Sequence, residues 1–274
     1  MDIKKLNLKT TINLIDFLEE KGRNHNTYYH YTTWESLEKI LGNKTFLLTR
    51  GNSMSINDQH EAKMKGAWSI WDKTYIGSFA FGTSENMAMW GLYGLPWEDA
   101  IRIAIPKKAM LEWMNSIQSA ILWDGDTNGE VVHNPDVVLT DIVYVSGLKD
   151  DNTYRLTHTD KSKTIYNSGE LLHIDERPEM TGYIKNYAWH YENETRLIVR
   201  FPNSVDADRI AINIPETVLD EFSITTGPYF EPKQSALYQK LYEEGKIITS
   251  GFKGLVKYKR LCSMCAHGSF LQKK

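Results

Sequence analysis

The chain has 274 residues, of which 41% are hydrophobic, and a formal net charge of −3. This length accommodates a large globular core. The small net charge gives no reason to expect nonspecific electrostatic binding to nucleic acid or to anionic membranes, although the protein could still have a local basic groove. No apolar run reaches the ~20 residues of a membrane span, and the N-terminal segment has no signal-peptide core. The chain also has only two cysteines. These features favour a cytoplasmic protein without membrane association.

Hydrophobic periodicity predicts alternating helices and strands along the chain, and we expect one domain spanning residues 1–274. Helices are predicted at 14–18, 34–41, 87–93, 108–121 and 232–244, with a further helix start at Asn57 and Asp58. Strands are predicted at 28–32, 45–50, 75–81, 100–105, 137–145, 195–201, 210–214, 222–225 and 255–259, and near Ile247. The segment 123–135 is interpreted as a loop. The polar residues 150–179 are interpreted as solvated helix and loop. We expect this region to be a mobile flap or an insertion around 150–180.

The first informative stretch is Tyr29-His30-Tyr31-Thr32-Thr33, where a predicted strand meets the start of a helix. Thr32 or Thr33 suits the N-cap of that helix. The strand would fix the His30 ring while the adjoining turn leaves one edge of the ring open, which suits a hydrogen-bond donor to a small molecule. The alternative is an ordinary half-buried histidine among tyrosines.

A pair of aromatic residues occupies the helix predicted at 87–93. Trp90 and Tyr93 are three residues apart, a spacing that places both rings on one face of a helix. There they either stack on a planar ligand or fill the core, and core filling is the more common use of such a pair. Gly91 and Gly94 favour the ligand, because glycines let a molecule approach the backbone.

Two carboxylates, Glu192 and Glu194, stand at the start of the strand predicted at 195–201. Residues two apart on a strand point to the same side, so the two groups are expected to repel each other. The pKa of one should rise unless a cation such as Arg196 or Lys185 is near. Paired carboxylates in such a place indicate a chemical role. The alternative is an exposed acidic strand end that these cations balance.

The C-terminal residues Cys262, Cys265 and His267 could supply three zinc ligands. No partnering cysteine or histidine pair follows at a suitable spacing, so the pattern of a structural zinc site is incomplete and we expect no metal site. The sequence contains no Walker loop, no dinucleotide-binding glycine fingerprint, no HExxH and no GxSxG.

Four elements occur in the order typical of a large bacterial family of unknown function, which the chain resembles. That family shows a YHYT start, an NDPxE element, an FSE…MWxxY element and a WxYExExRL strand. The matching residues are YHYTTWESLEKIL at 29–41, then Asn57, Asp58 and Glu61, then Ser84 and Glu85 followed by Met89, Trp90 and Tyr93, and finally Trp189 with 191–196. Gln59 replaces the usual proline, and the cysteine-rich tail is a second departure. The order of histidine, aromatics and Glu-x-Glu is also distantly similar to the ADP-ribosyltransferase superfamily.

The second resemblance implies an α+β fold with a split, strongly bent sheet, helices packed outside it and a central cleft. It implies an NAD-dependent ADP-ribosyltransferase, which moves ADP-ribose from NAD to a macromolecular acceptor, protein or nucleic acid, as a bacterial toxin or an antiviral defence effector. In such an enzyme a carboxylate stabilises the oxocarbenium-like transition state for cleavage of the nicotinamide–ribose bond.

The resemblance also implies roles for individual residues of this sequence. Glu194 would stabilise the reacting ribose, and Glu192 would orient or deprotonate the acceptor. The expected NAD-binding residues are His30, as a donor to the ribose or the carboxamide, Tyr31, Thr32, Arg50 at the pyrophosphate, and Trp90 and Tyr93, stacked on the cationic nicotinamide.

Two other functions remain open at the level of sequence. Oxygen ligands for a divalent cation in a metal-dependent nuclease or hydrolase would come from Asp58, Glu61, Glu192 and Glu194. A non-catalytic nucleotide sensor would keep the pocket without the turnover. NAD binding with nicotinamide release indicates a transferase, metal binding alone indicates the hydrolase, and NAD binding without release indicates the sensor.

Overall fold

The computed structural model describes residues 11–53, 68–82, 84–123, 125, 129–146, 153–160, 163–166, 171–173 and 181–254. The α-helices are α1 (Thr11–Gly22), α2 (Trp34–Asn43), α3 (Trp68–Trp71), α4 (Met87–Tyr93), α5 (Lys107–Ser116), α6 (Glu216–Leu219) and α7 (Ala236–Glu243), and the 3₁₀ helices are η1 (Trp97–Asp99) and η2 (Tyr187–Glu192). None of these helices has both the length and the apolar character that crossing a membrane requires.

The strands complete a mixed fold that agrees with the predicted α+β class. They are β1 (Thr27–Thr33), β2 (Thr45–Arg50), β3 (Thr74–Phe81), β4 (Ala100–Pro106), β5 (Ser119–Leu122), β6 (Val131–His133), β7 (Asp136–Asp141), β8 (Val143–Ser146), β9 (Thr153–Asp160), β10 (Lys163–Tyr166), β11 (Leu171–His173), β12 (Ile184–Asn186), β13 (Glu194–Arg200), β14 (Arg209–Asn213), β15 (Ser223–Thr226) and β16 (Ile247–Thr249). The large sheet has the order β16-β15-β4-β1-β3-β2-β14-β5-β6, and β13 joins β3 to β7. A second sheet has the order β10-β9-β8-β12, with β11 on β9.

The central strand β3 divides the large sheet into two arms. One edge of β3 pairs with β13 along the whole length of β13. On the other edge, Ala80 and Phe81 pair with β1, whereas Tyr75 and Ile76 pair with β2. The described pairings give residues 77–79 no strand partner on this second edge. The strands β1 and β2 therefore diverge from β3 and leave a gap, although α2 joins them directly in the chain.

Apolar residues cover both faces of the sheet around β1. Successive strand residues point to opposite faces, and Tyr28 accordingly joins the main core with α2 and α5, whereas Tyr31 joins a smaller cluster with α4. Leu37 of α2 and Trp113 of α5 have no exposed surface in the main core, and Trp90 of α4 has none in the smaller cluster. The strand beside the gap is thus held in place from both sides.

The interpretation of residues 150–179 as helix and loop is wrong for the described residues 153–160, 163–166 and 171–173, which form β9, β10 and β11. The sequence of β9, TYRLTHTD, is polar, but it is also rich in β-branched and aromatic residues, which favour strands. These strands pair with one another and with β8 in the second sheet. The expected flap or insertion around 150–180 stays a prediction.

Three other segments also differ from the prediction. Helix α5 ends at Ser116, and residues 119–122 form β5. Pairing of β5 with β14 and β6 outweighs the helical periodicity that extends to residue 121. The predicted strand 137–145 is two strands in different sheets, and the predicted loop 123–135 contains β6. The predicted features at 57–61, 255–259 and 262–267 lie outside the described residues.

Gly22, the last residue of α1, lies so close to β7 that a side chain would collide with backbone. A Cβ atom on Gly22 would be 2.5 Å from the Thr140 Cα. We expect Gly22→Ala to lower the free energy of unfolding by about 1–3 kcal/mol, because backbone atoms have to move. The control is Gly42→Ala, where nothing lies within 4 Å of the added Cβ and alanine should slightly stabilise α2. Equal urea midpoints for the two variants would contradict the close contact.

Candidate functional site

A cleft opens beside the divergence of β1 from β3, and we call it the first cleft. Its water-accessible volume is about 80 Å³. Most of the wall is aromatic or aliphatic, and a few polar side chains converge on it, as is typical of small-molecule sites. The lining residues are Tyr29, His30, Tyr31, Ser78, Phe79, Ala80, Met89, Tyr93, Glu192 and Glu194.

The two predicted carboxylates meet in the first cleft, but they are not neighbours on one strand. Glu194 begins β13, whereas Glu192 is the last residue of η2. Asn193 between them has a φ of 46°, a left-handed conformation that asparagine tolerates and that interrupts a strand. The carboxylates nevertheless converge, because the Lys185 ammonium donates to Glu192 at 2.5 Å and to Glu194 at 3.0 Å.

Several donors hold Glu194 in its ionised form. The Ser78 hydroxyl donates to it at 2.5 Å, and the Arg196 guanidinium donates at 2.9 Å. Burial by itself would raise the pKa of Glu194, but the charges of Arg196 and Lys185, together with these hydrogen bonds, lower that pKa below its usual range. A carboxylate in this setting can stabilise a nearby positive charge without becoming protonated.

Glu192 has the opposite electrostatic setting. Burial raises the pKa of its carboxyl above the usual range, the Lys185 charge partly opposes this change, and the Glu194 charge adds to it. The Tyr93 hydroxyl donates to Glu192 at 2.6 Å. Two neighbouring carboxyls whose pKa values move in opposite directions suit separate tasks, one electrostatic and one in proton transfer.

This charged cluster is buried. Glu192 and Glu194 are 4% and 2% exposed, and Lys185 and Arg196 are 6% and 3% exposed. The alternative of an exposed acidic strand end is therefore wrong. Two carboxylates balance two cations, and buried charges are retained when they are paired in this way. Such clusters occur in clefts at functional sites and also in structural networks.

His30 bridges the gap between β1 and β3. Its Nδ1 lies 3.1 Å from the Ser78 carbonyl oxygen, at the part of β3 without a strand partner on this edge. A carbonyl only accepts, so Nδ1 donates the hydrogen bond. Burial lowers the pKa of the imidazole, with the Ser78 carbonyl opposing, which favours a neutral ring with Nε2 as an acceptor. The donor role that the resemblance implies becomes an acceptor role, suited to a ligand hydroxyl or amide N–H.

A second cleft lies next to the first, and His30 lines both. Its water-accessible volume is about 190 Å³. It is bounded by the end of β1, by α2, by the start of β2 and by the residue after β5. The lining residues are His30, Thr32, Ser36, Lys39, Ile40, Asn43, Thr45, Phe46, Leu47 and Trp123. Thr32, which we expected to bind NAD, therefore lines the second cleft and not the first.

The two aromatic residues of α4 lie in different places, one in the first cleft and one in the core. Tyr93 lines the first cleft, as does Tyr31. Trp90 has no exposed surface; its indole N–H donates to Glu85 at 3.2 Å, and its ring packs edge-on against Tyr31. Trp90 thus fills the core and does not stack on a ligand in this structure, because its side of the helix faces the sheet.

Arg50 lies apart from both clefts, whereas two residues that the sequence did not indicate contact Glu194. The Arg50 guanidinium donates to Asp208 at 2.5 Å and lines neither cleft. Ser78 contacts the Glu194 carboxylate, and the Tyr144 hydroxyl accepts the Glu194 backbone N–H at 2.9 Å. The one available sequence signal for Ser78 is its place as a small polar residue within the predicted strand 75–81, whose other residues are apolar or aromatic.

The described residues contain no group of three or more histidine, cysteine, aspartate or glutamate side chains arranged for a metal ion. Two proposed ligands of the metal-dependent alternative, Asp58 and Glu61, lie outside the described residues, as does the tail from Cys262 to His267. The other two, Glu192 and Glu194, already contact the Lys185 ammonium, which takes the place between them that a divalent cation would need.

Comparison of the chain with models of known protein families, with curated proteins and with solved structures gives no match. The function has to be inferred from the chemistry and geometry of the clefts. Three features are most informative for that purpose: the ionised Glu194, the neighbouring Glu192 with its raised pKa, and the aromatic walls around them.

Proposed function

We propose that this protein is an NAD-dependent ADP-ribosyltransferase that transfers ADP-ribose to a macromolecular acceptor. The observation that carries the proposal is an ionised carboxylate, Glu194, inside an aromatic cleft at the point where the sheet divides. The order of His30, aromatic residues and Glu194 along the chain, which is similar to that of ADP-ribosyltransferases, agrees with it.

The chemistry assigns each carboxyl a separate task. Cleavage of the bond between the nicotinamide nitrogen and the ribose C1′ leaves the electron pair on neutral nicotinamide and positive charge on the ribose. Glu194 stabilises that oxocarbenium-like state. The nucleophilic atom of the acceptor forms the new bond to C1′, and its proton passes to Glu192, whose raised pKa suits a general base.

The aromatic wall of the first cleft also favours a cationic ring in the ligand. The Tyr31 and Tyr93 rings lie in the wall of the first cleft, where we place the nicotinamide ring. Contact of a cationic nicotinamide with an aromatic face contributes about 1–2 kcal/mol when both are desolvated.

The proposal is tested by incubating the protein and cell extract with NAD labelled either in the nicotinamide or in the adenine. We expect free nicotinamide in the first sample and adenine label on a macromolecule in the second. NAD binding without release would identify a sensor instead. Activity that a chelator abolishes would favour the metal-dependent hydrolase. Neither binding nor release would reject the proposal.

His30→Ala is expected to weaken NAD binding more than it lowers stability. The variant loses the Nε2 acceptor, and the half-buried ring gives up its packing against Phe46 at 4.8 Å between centroids. We expect the Kd for NAD to rise about tenfold, with a melting temperature lowered by only a few degrees. The exposed His133 of β6 provides the control variant His133→Ala. A large fall in melting temperature with unchanged NAD affinity would restore the core-histidine interpretation.

A further inference from the structure

Arg102 on β4 is a buried cation whose described hydrogen-bond partners are all neutral. Its side chain is 6% exposed. Its two terminal nitrogens lie 3.4 Å from the Tyr31 hydroxyl and 3.4 Å from the Thr225 hydroxyl, and its Nε is buried without a hydrogen-bond partner. In the described part of the chain, Arg102 forms no ion pair with a carboxylate.

Burial of the Arg102 guanidinium in this way lowers the stability of the protein unless a ligand supplies the missing acceptors and negative charge. A buried guanidinium without a counter-charge has lost hydration that two long hydrogen bonds and the Tyr29 ring replace only in part. Arg196 of β13 shows the contrast, because it is equally buried but bonds the Glu194 carboxylate and the Gly182 carbonyl. The planar fork of arginine matches the oxygens of a phosphate group, which supplies both the charge and the acceptors.

The guanidinium lies directly behind the wall of the first cleft. Arg102 pairs with Tyr31 across the β1–β4 ladder. Its Cζ is 4.2 Å from the centroid of the Tyr29 ring and 5.7 Å from that of the Tyr31 ring. Both tyrosines line the first cleft, and Tyr29 is only half-buried. One aromatic side chain therefore separates the unsatisfied cation from the cleft.

We propose that Arg102, with the hydroxyls of Tyr31 and Thr225, binds a phosphate group of a ligand in the first cleft, and that the Tyr29 ring moves to admit it. The inference rests on the proposed function for the identity of that ligand. The phosphate belongs either to the pyrophosphate of the dinucleotide or to the backbone of a nucleic-acid acceptor. A phosphate at Arg102 would take the role that the sequence suggested for Arg50.

The test compares the unmodified protein with Arg102→Gln in binding three probes: ADP-ribose, a short single-stranded oligonucleotide, and nicotinamide riboside, which has no phosphate. We expect the Kd of ADP-ribose or of the oligonucleotide to rise about 10- to 100-fold, as loss of a charge-assisted phosphate contact predicts. The Kd of nicotinamide riboside should not change. The probe that loses affinity identifies the source of the phosphate. Arg209→Gln, at an exposed arginine of β14, is the control for charge alone.

A second variant keeps the test valid if Arg102→Gln does not fold. Thr225→Val preserves volume and the guanidinium but removes one hydroxyl partner, and we expect the same probe to bind about two- to fivefold more weakly. Three results would overturn the phosphate site. The variants could bind the phosphate probes as tightly as the unmodified protein does, they could lose as much affinity for nicotinamide riboside as for those probes, or the unmodified protein could bind neither phosphate probe. Nicotinamide release is assayed in the same preparations. Release without an Arg102 effect rejects only the phosphate site, and phosphate binding without release rejects only the transferase.

Discussion

Glu194→Gln should nearly abolish nicotinamide release from NAD. The substitution keeps the volume of the side chain but removes the negative charge that faces the developing oxocarbenium ion. Loss of one preorganised electrostatic contact in a water-poor site typically lowers the rate by about 10²- to 10³-fold. We therefore expect the rate of nicotinamide release to fall by about 10²- to 10³-fold in an assay with NAD labelled in the nicotinamide.

The same variant also changes the stability, and the controls have to separate the two effects. Glu194 balances Arg196 and Lys185 in a buried cluster, so its replacement leaves one cation without a counter-charge and lowers the free energy of unfolding by about 3–5 kcal/mol. Assays should be run well below the melting temperature of the variant, with circular dichroism to verify the fold. Glu231→Gln, at an exposed position, is the matched chemical control. An unchanged release rate in folded Glu194→Gln would reject the role of this residue.

Glu192→Gln should separate transfer from hydrolysis. The raised pKa of Glu192 suits a group that takes a proton from the acceptor, whereas Glu194 acts on the ribose in both reactions. We expect Glu192→Gln to lose transfer to the macromolecule by about 10²-fold or more, with slow hydrolysis of NAD by water retained. Measurement of adenine label on the acceptor and of released nicotinamide distinguishes the two losses.

The pH dependence gives an independent test of the Glu192 role. A general base works only when deprotonated, and burial raises the pKa of Glu192. Transfer by the unmodified protein should therefore increase with pH through a range above the usual carboxyl pKa, and this increase should be absent in Glu192→Gln. Identical losses of both activities in the two glutamate variants would instead mean that the carboxylates act as one unit, as metal ligands do. A chelator should then abolish the activity.

Local sequence was sufficient to predict many of the helices and strands and to single out candidate site residues. The strand at 28–32, the helix after it and the strand at 75–81 follow from short-range periodicity, and the structure confirms all three. His30 and the carboxylates stood out because their residue types are unusual at the ends of such elements. The predictions of these elements succeeded because the backbone pattern is a property of a few consecutive positions, whereas the roles of the site residues stay predictions.

The tertiary structure decided which of these residues come together and which are buried. Pairing of β3 with β1 at one end and β2 at the other creates the gap that His30 crosses. Lys185 reaches both carboxylates although Glu192 is not on a strand, and Trp90 and Arg50 are directed away from the clefts. The isolated charge of Arg102 has no sequence signature at all. Charge pairing, burial and the shifted pKa values depend on contacts between distant parts of the chain. A local sequence pattern therefore cannot predict them.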